Sequence, residues 1–220
     1  MSIKDFGSGK DPTYKENGFA EIFLPLQALE VSSIRIDEPK IFHTQSTTAH
    51  SNNRLLSNLS YQTSVYTLPK LAILTPFCKV LSWDSSTGRL DLELDSTSVT
   101  ALKCEVFQEY IINTLHQKSS WFTNGQQSLE TLRTNFQHIY HNHTLTVYLH
   151  GQNQEKKVVG RVWIWKNNTW QKGAGPTSFK RGQSLRVAIR FQGICFLPGH
   201  GGVTFTRLQH QVIAIYHKSV

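Results

Sequence analysis

Apolar and polar residues alternate most cleanly in "GRLDLELD" (88–95), where Leu90, Leu92 and Leu94 share one parity and Arg89, Asp91, Glu93 and Asp95 the other. Side chains of a strand point to opposite faces in turn, so this pattern predicts a half-buried β-strand. The same period runs through "TLTVYLH" (Leu145, Val147 and Leu149 inward), "KVVGRVWIWK", "SLRVAIRFQGICF" and "GVTFTRLQHQVIAIY". "SVYTLPKLAIL" and "CKVLSW" read as shorter strands separated by "TPF", and "FAEIFLPLQALEVSSIRI" as a strand broken or bulged near Pro25. Mid-chain the period lengthens. From Ser98 to about Gln117 apolar residues fall at Leu102, Val106, Tyr110, Ile111 and Leu115, which predicts a helix buried along that stripe and capped by Ser98 or Thr97. A second, short helix is predicted to start near Ser128, with Leu129, Leu132, Arg133 and Phe136 on successive turns.

Around these elements, residues 1–18 are polar and read as a mobile tail, and the Ser/Thr/Asn-rich stretch 43–63 reads as a long flexible loop. Residues 19–220 then form a single domain. Three or so strands, a helical insertion and three or four more strands predict a mainly β protein: an OB-fold-like small barrel with extra strands and loops. In that architecture a helix plugs the barrel between its third and fourth strands. A jelly roll is the runner-up, since it needs about eight strands and rarely devotes some 40 mid-chain residues to helix.

Composition narrows the class. Hydrophobic residues make up 39% of the 220-residue chain and charged residues 17%, a balance that can bury a core. No apolar run approaches the roughly 20 residues of a membrane span. The opening "MSIKDFGSGKDPTYKENG" lacks the apolar segment of a signal peptide, so an intracellular protein without a membrane partner is expected. Cys78, Cys104 and Cys195 are widely spaced with no CxxC, as reduced thiols would be.

Charge changes the picture more. Residues 1–97 hold nine Lys/Arg against eleven Asp/Glu, a net of −2, whereas residues 98–220 hold fourteen against four, a net of +10. From Lys156 onward there are eleven Lys/Arg and no Asp or Glu. Surfaces built for solubility mix both signs. A run of one sign points to a polyanionic partner, nucleic acid first.

Within that basic half, Arg161, Trp163 and Trp165 share one parity of "GRVWIWK", opposite Val162 and Ile164. Trp170 and Lys172 follow across "KNNT", a hairpin turn. "SLRVAIRFQ" repeats the arrangement, with Leu185, Val187, Ile189 and Phe191 on one face and Arg186 and Arg190 on the other. Exposed aromatic rings offer a stacking surface to any base, and adjacent cations track phosphates. Arg161, Trp163, Trp165, Trp170, Lys172, Lys180, Arg181, Arg186 and Arg190 are therefore the candidate nucleic-acid-binding residues. Other chemistry is poorly supported. His138, His141 and His143 match no zinc spacing, "LPGHGGVTF" lacks the Lys-Ser/Thr ending of a phosphate loop, and no nucleophile has a base in credible context. Neither a metal, a cofactor nor catalysis is expected.

"SSWF" after the helix, followed by "FKRGQSLRVAIRFQGICFLPGHGGVTFTRLQHQVIAI", resembles the single-stranded-DNA-binding protein family of large DNA viruses of eukaryotes. That family is distantly like the single-stranded-DNA-binding proteins of short-tailed phages, which are OB-type barrels. The resemblance spans roughly residues 65–216 and rests on Trp121, Phe122, Gly182, Ser184, Val187, Gly193, Ile194, Phe196 and Gly202. The chain departs from the pattern at Cys195 and Phe205, where the family has Trp, and at His200 and Gly201, where it has Lys-Phe. It ends "IYHKSV", without the acidic tail through which related phage proteins recruit partners. The resemblance implies a non-enzymatic, sequence-tolerant single-stranded-DNA-binding protein of viral DNA replication or recombination. Such a protein would work in the host nucleus or a cytoplasmic viral factory, beside a DNA polymerase or other replication proteins, with a homo-oligomer open to it. Two alternatives remain: an RNA-binding protein, and a virion or scaffold protein with a basic nucleic-acid-facing surface.

Overall fold

The computed structural model describes residues 15–16, 19–20, 23–43, 53–122, 125, 127–149, 161–166, 169–173, 179–198 and 204–218. Of the expected N-terminal tail this includes only Lys15–Glu16 (β1), paired with Phe19–Ala20 (β2) in a sheet of their own. Pro25 does interrupt the first strand: Leu24–Pro25 (β3) gives way to two 3₁₀ turns, Leu26–Ala28 and Val31–Ser33, before Ile34–Ile36 (β4). Short strands follow at Lys40–His43 (β5), Asn53–Ser57 (β6), Leu59–Gln62 (β7), Thr67–Leu68 (β8) and Ala72–Leu74 (β9). The next two, Cys78–Asp84 (β10) and Arg89–Glu93 (β11), form a hairpin. Helices Val99–Gln117 (α1) and Leu129–Asn135 (α2) are inserted here, each opened by the serine expected: the hydroxyls of Ser98 and Ser128 accept from the amides of Ala101 and Thr131. The chain ends in Phe136–Gln137 (β12), Tyr140–His141 (β13), Thr144–Tyr148 (β14), Arg161–Lys166 (β15), Thr169–Gly173 (β16), Ser184–Pro198 (β17) and Thr204–Lys218 (β18).

Most strands join one sheet of order β13-β14-β11-β10-β17-β18-β15-β16, while β4, β7 and β8 form a small second sheet. The molecule is mainly β with a helical insertion, as the periodicity predicts. Among the described residues the main sheet does not close into a barrel, because its end strands β13 and β16 do not pair with each other. Its organising element is the β17–β18 ribbon. On one side β17 pairs with β18 along its whole length; on the other it meets β10, β9 and β6 in succession. Register shifts between Ala188 and Ile189 and between Phe191 and Gly193 bend the ribbon so that it can serve three partners.

The core lies on the inner face of this sheet. Leu90, Leu92, Leu145, Val147, Leu149, Leu185, Val187 and Ile189 are all fully buried, as their alternation requires. Phe107 of α1 meets Phe191 of β17 with ring centroids 5.1 Å apart. Two expectations fail. Leu102 and Val106, expected in the buried stripe of α1, are 57% and 41% exposed; Ile111 and Leu115 of that stripe are buried as expected, together with Ala101, Cys104, Phe107 and Ile112. The stretch 43–63 is not one loop: β6 and β7 occupy part of it, because Leu59 and Tyr61 are buried on one face of β7 while the intervening polar residues turn outward. Residues 44–52 lie outside the described part. Among the described residues no helix is long and apolar enough to cross a membrane.

Candidate nucleic-acid interface

The tryptophan segment forms the expected hairpin. β15 and β16 pair antiparallel with Lys166 opposite Thr169, leaving two residues between the strands, and Trp163 stands opposite Lys172 and Trp165 opposite Trp170. On its other side β15 runs parallel to β18, which sets Ala214 beside Arg161, Tyr216 beside Trp163 and Lys218 beside Trp165. β17 comes next, with Arg186 opposite Tyr216, Ala188 opposite Ala214 and Arg190 opposite Gln211. Residues opposite one another in a ladder share a face of the sheet. The row Val162, Ile215, Val187 is the inward one, since Ile215 and Val187 are fully buried and neighbouring Ile164 packs on the main core. Tyr216 and Arg186 belong to the other, outward row, and Trp163 and Lys172 stand in register with them. The tryptophan strand and the arginine strand, separated in sequence, lie one strand apart in the same sheet. The side chains of Arg161, Trp163, Trp165, Trp170 and Lys172 lie outside the described part of the structure; their place in the register does not.

That face is not open everywhere. Ala188, Ala214 and Tyr216 are buried together with Leu74 in a second apolar cluster, against which Phe23 and Ile213 pack. Beside it Arg186 is half-buried and donates from Nε to the carbonyl of Thr75 at 2.7 Å. A guanidinium has donors only, and here a backbone oxygen accepts from it. Burial pushes the Arg186 pKa down, while Tyr216 and Cys78 act in the opposite sense. Further along the ribbon Arg190 is half-buried and Gln192 exposed, the latter donating to Oε1 of Gln211 at 3.4 Å. Lys180 and Arg181 are exposed in the turn that leads into β17. Gly182, with φ of 82°, makes that turn, and its amide donates to the carbonyl of Val80.

Two residues that the sequence reading missed complete the picture. Phe77 is 38% exposed and immediately precedes Cys78, which pairs with Leu185 beside Arg186. Lys79, also exposed, pairs with Ser184. The signal was present in "FCKV", where a buried small residue sits between an aromatic and a cation, but Pro76 obscured the alternation.

The other candidates show nothing comparable. Among the described residues no group of three or more His, Cys, Asp or Glu is placed to hold a metal ion. His138 and His141 lie with ring centroids 6.3 Å apart, and burial pushes the His138 pKa down. Two open clefts of about 330 and 340 Å³ meet at this pair, one walled by Asp91 and the other by Glu105 and Glu109, which suits neither for a polyanion. All three cysteines are buried free thiols. Burial pushes Cys78 up to about 11 and Cys104 up to about 12, which keeps them protonated and unreactive. Compared with protein-family models, with characterised proteins and with solved structures, the chain matches none of them.

Proposed function

We propose that this protein binds single-stranded nucleic acid, DNA foremost, without marked sequence preference, and that it serves replication or recombination rather than catalysing a reaction. One observation carries the reading: the register sets the Trp163–Trp165 strand, with Trp170 and Lys172 across from it, one strand away from the Arg186–Arg190 strand. Aromatic rings stack on bases whatever their identity, at about 1–3 kcal/mol per base, and interleaved cations neutralise phosphates. From Lys156 onward the chain carries eleven Lys/Arg and no Asp or Glu. An OB-type reading of the fold fits the bent β17–β18 ribbon and the helix inserted between β11 and β12, with β5, β6, β15 and β16 as elaborations. Such a fold and face agree with the resemblance to viral single-stranded-DNA-binding proteins.

Fluorescence titration with single-stranded DNA, the matching duplex and RNA, each at two salt concentrations, tests the proposal. Single-stranded DNA should bind most tightly, and its affinity should fall with salt. Equal affinity for the duplex would mean that a basic surface acts alone, without stacking. Preference for RNA would move the ligand to that class.

A further inference from the structure

We infer that Phe77, with Lys79 and Arg181, forms a second stacking subsite at the far end of the outer-face rows, so that one strand of nucleic acid is held at two aromatic platforms; the inference rests on the single-strand reading above. Phe77 is a large aromatic residue that the fold leaves 38% exposed, although the buried Cys78 and Val80 next to it show that the core was within reach. Alternation with Cys78 puts Lys79 on the face that carries Arg186, and Phe77 immediately precedes that strand. The turn at 180–183 is tied to β10 by two backbone bonds, Val80 N to Gln183 O and Gly182 N to Val80 O, both 2.8 Å. Those bonds set the turn that carries exposed Lys180 and Arg181 against Val80, the residue next to Lys79. The next strand presents two carboxylates on this face, Glu93 opposite Lys79 and Asp91 opposite Ser82, and Asp91 is already engaged by Ser82, Arg89 and Thr146.

Spacing fixes what the pair of platforms can hold. β15 and β10 are separated by β18 and β17, three strand spacings of about 4.8 Å, or about 14 Å. Bases stacked along one strand rise about 3.4 Å each, so the two platforms take bases about four steps apart. A trinucleotide reaches one platform only. A strand of twelve reaches both.

The test is a length comparison with oligo-dT of 3 and 12 nucleotides. Phe77→Ala should weaken binding of the 12-mer by about 5- to 150-fold, the range of one stacked base, and leave the 3-mer little changed. Phe77→Trp should restore the 12-mer affinity and report it by quenching. Lys79→Ala with Arg181→Ala should lower the log-affinity against log-salt slope for the 12-mer by up to about 1.4, at about 0.7 per phosphate. Because Phe77 is only 38% exposed, Phe77→Ala is also expected to lower the thermal midpoint; the charge variant and Phe77→Trp, which keeps an aromatic ring, then decide the matter. Unchanged 12-mer affinity in Phe77→Ala, while Trp163→Ala with Trp165→Ala loses binding, would remove the subsite and keep the single-strand reading. A wild-type protein that binds neither oligonucleotide overturns both.

Discussion

Gly193 sits where β6 meets the bent part of β17, and its φ of +148° is a conformation that other residues rarely adopt. A Cβ there would lie 2.3 Å from the carbonyl oxygen of Ser57, a backbone atom that cannot swing aside. Gly193→Ala should therefore push β6 out of register and cost about 2–3 kcal/mol, the upper part of the range for point substitutions. The urea midpoint checks this. His210 is a subtler case. Its Nδ1 lies 3.1 Å from the Leu208 carbonyl, which can only accept, so Nδ1 carries the proton, and Nε2 is buried with no hydrogen-bond partner. The ring lies 6.0 Å from Tyr148 and 6.5 Å from Phe191, and burial, helped by Arg207, pushes its pKa below 6.5. The unfolded chain then binds the proton more readily than the folded one, so stability is lost as pH falls through about 6.5. His138 shifts in the same direction but is only half-buried. Asp84, held at about 2 by the Ser86 and Thr87 hydroxyls, acts in a more acidic window. His210→Phe keeps the ring contacts and should flatten the decline in urea midpoint between pH 7 and pH 5. An equally steep decline in the variant would assign it to another group.

At the scale of elements, α1 is joined to β13 by one side chain. Gln108, 4% exposed, accepts at Oε1 from the amides of Ile139 (2.8 Å) and Tyr140 (2.9 Å) and donates from Nε2 to the carbonyl of Tyr140 (3.0 Å). Gln108→Leu would leave two buried amides unpaired, at about 1–3 kcal/mol each for a fully desolvated donor. A loss of about 2–4 kcal/mol is expected, with faster hydrogen exchange at Ile139 and Tyr140; unchanged exchange at both amides would show that the link is unimportant. The same residue explains why the buried stripe of this helix is only partly legible in the sequence. Apolar residues lie on two stripes of α1, and periodicity alone cannot say which one faces the sheet. The Ala101–Cys104–Phe107 stripe prevails because it carries Phe107 onto Phe191 and Gln108 onto β13, leaving Val99, Leu102 and Val106 exposed. Strands with one polar face, such as β11 and β14, were legible in which residues point inward, though they end two residues earlier than their patterns. The β7 strand was hidden by its serine and asparagine neighbours, which composition assigns to loops although Leu59 and Tyr61 keep strand parity.

For the molecule as a whole, strand order does what sequence order could not reveal. The parallel pairing of β15 with β18 brings together two segments whose patterns were each legible alone, and no local signal announces a pairing between residues about fifty positions apart. The order also sorts charge: Asp91 and Glu93 belong to β11, and three strands lie between them and β15. A polyanion approaching the β15–β16 end therefore meets cations and aromatics without crossing the acidic strand. Two kinds of contact should then separate experimentally. Stacking is largely non-ionic, whereas phosphate contacts release counterions and set the salt slope. Replacing Trp163 and Trp165 with alanine should weaken single-strand binding by about 2–5 kcal/mol with the salt slope nearly preserved, taking about 1–3 kcal/mol per stacked base. Replacing Lys172 and Lys180 should instead lower that slope by up to about 1.4. Arg186 is the poorer probe, because its half-buried side chain also holds the Thr75 carbonyl and its loss would disturb the joint between β9 and β10. If the tryptophans serve only to cover the outer apolar cluster, their removal should lower the urea midpoint by the amount typical of large-to-small core changes. The lysine pair would then leave the slope where it was. A folded lysine variant with an unaltered slope excludes this face as the track of the phosphates.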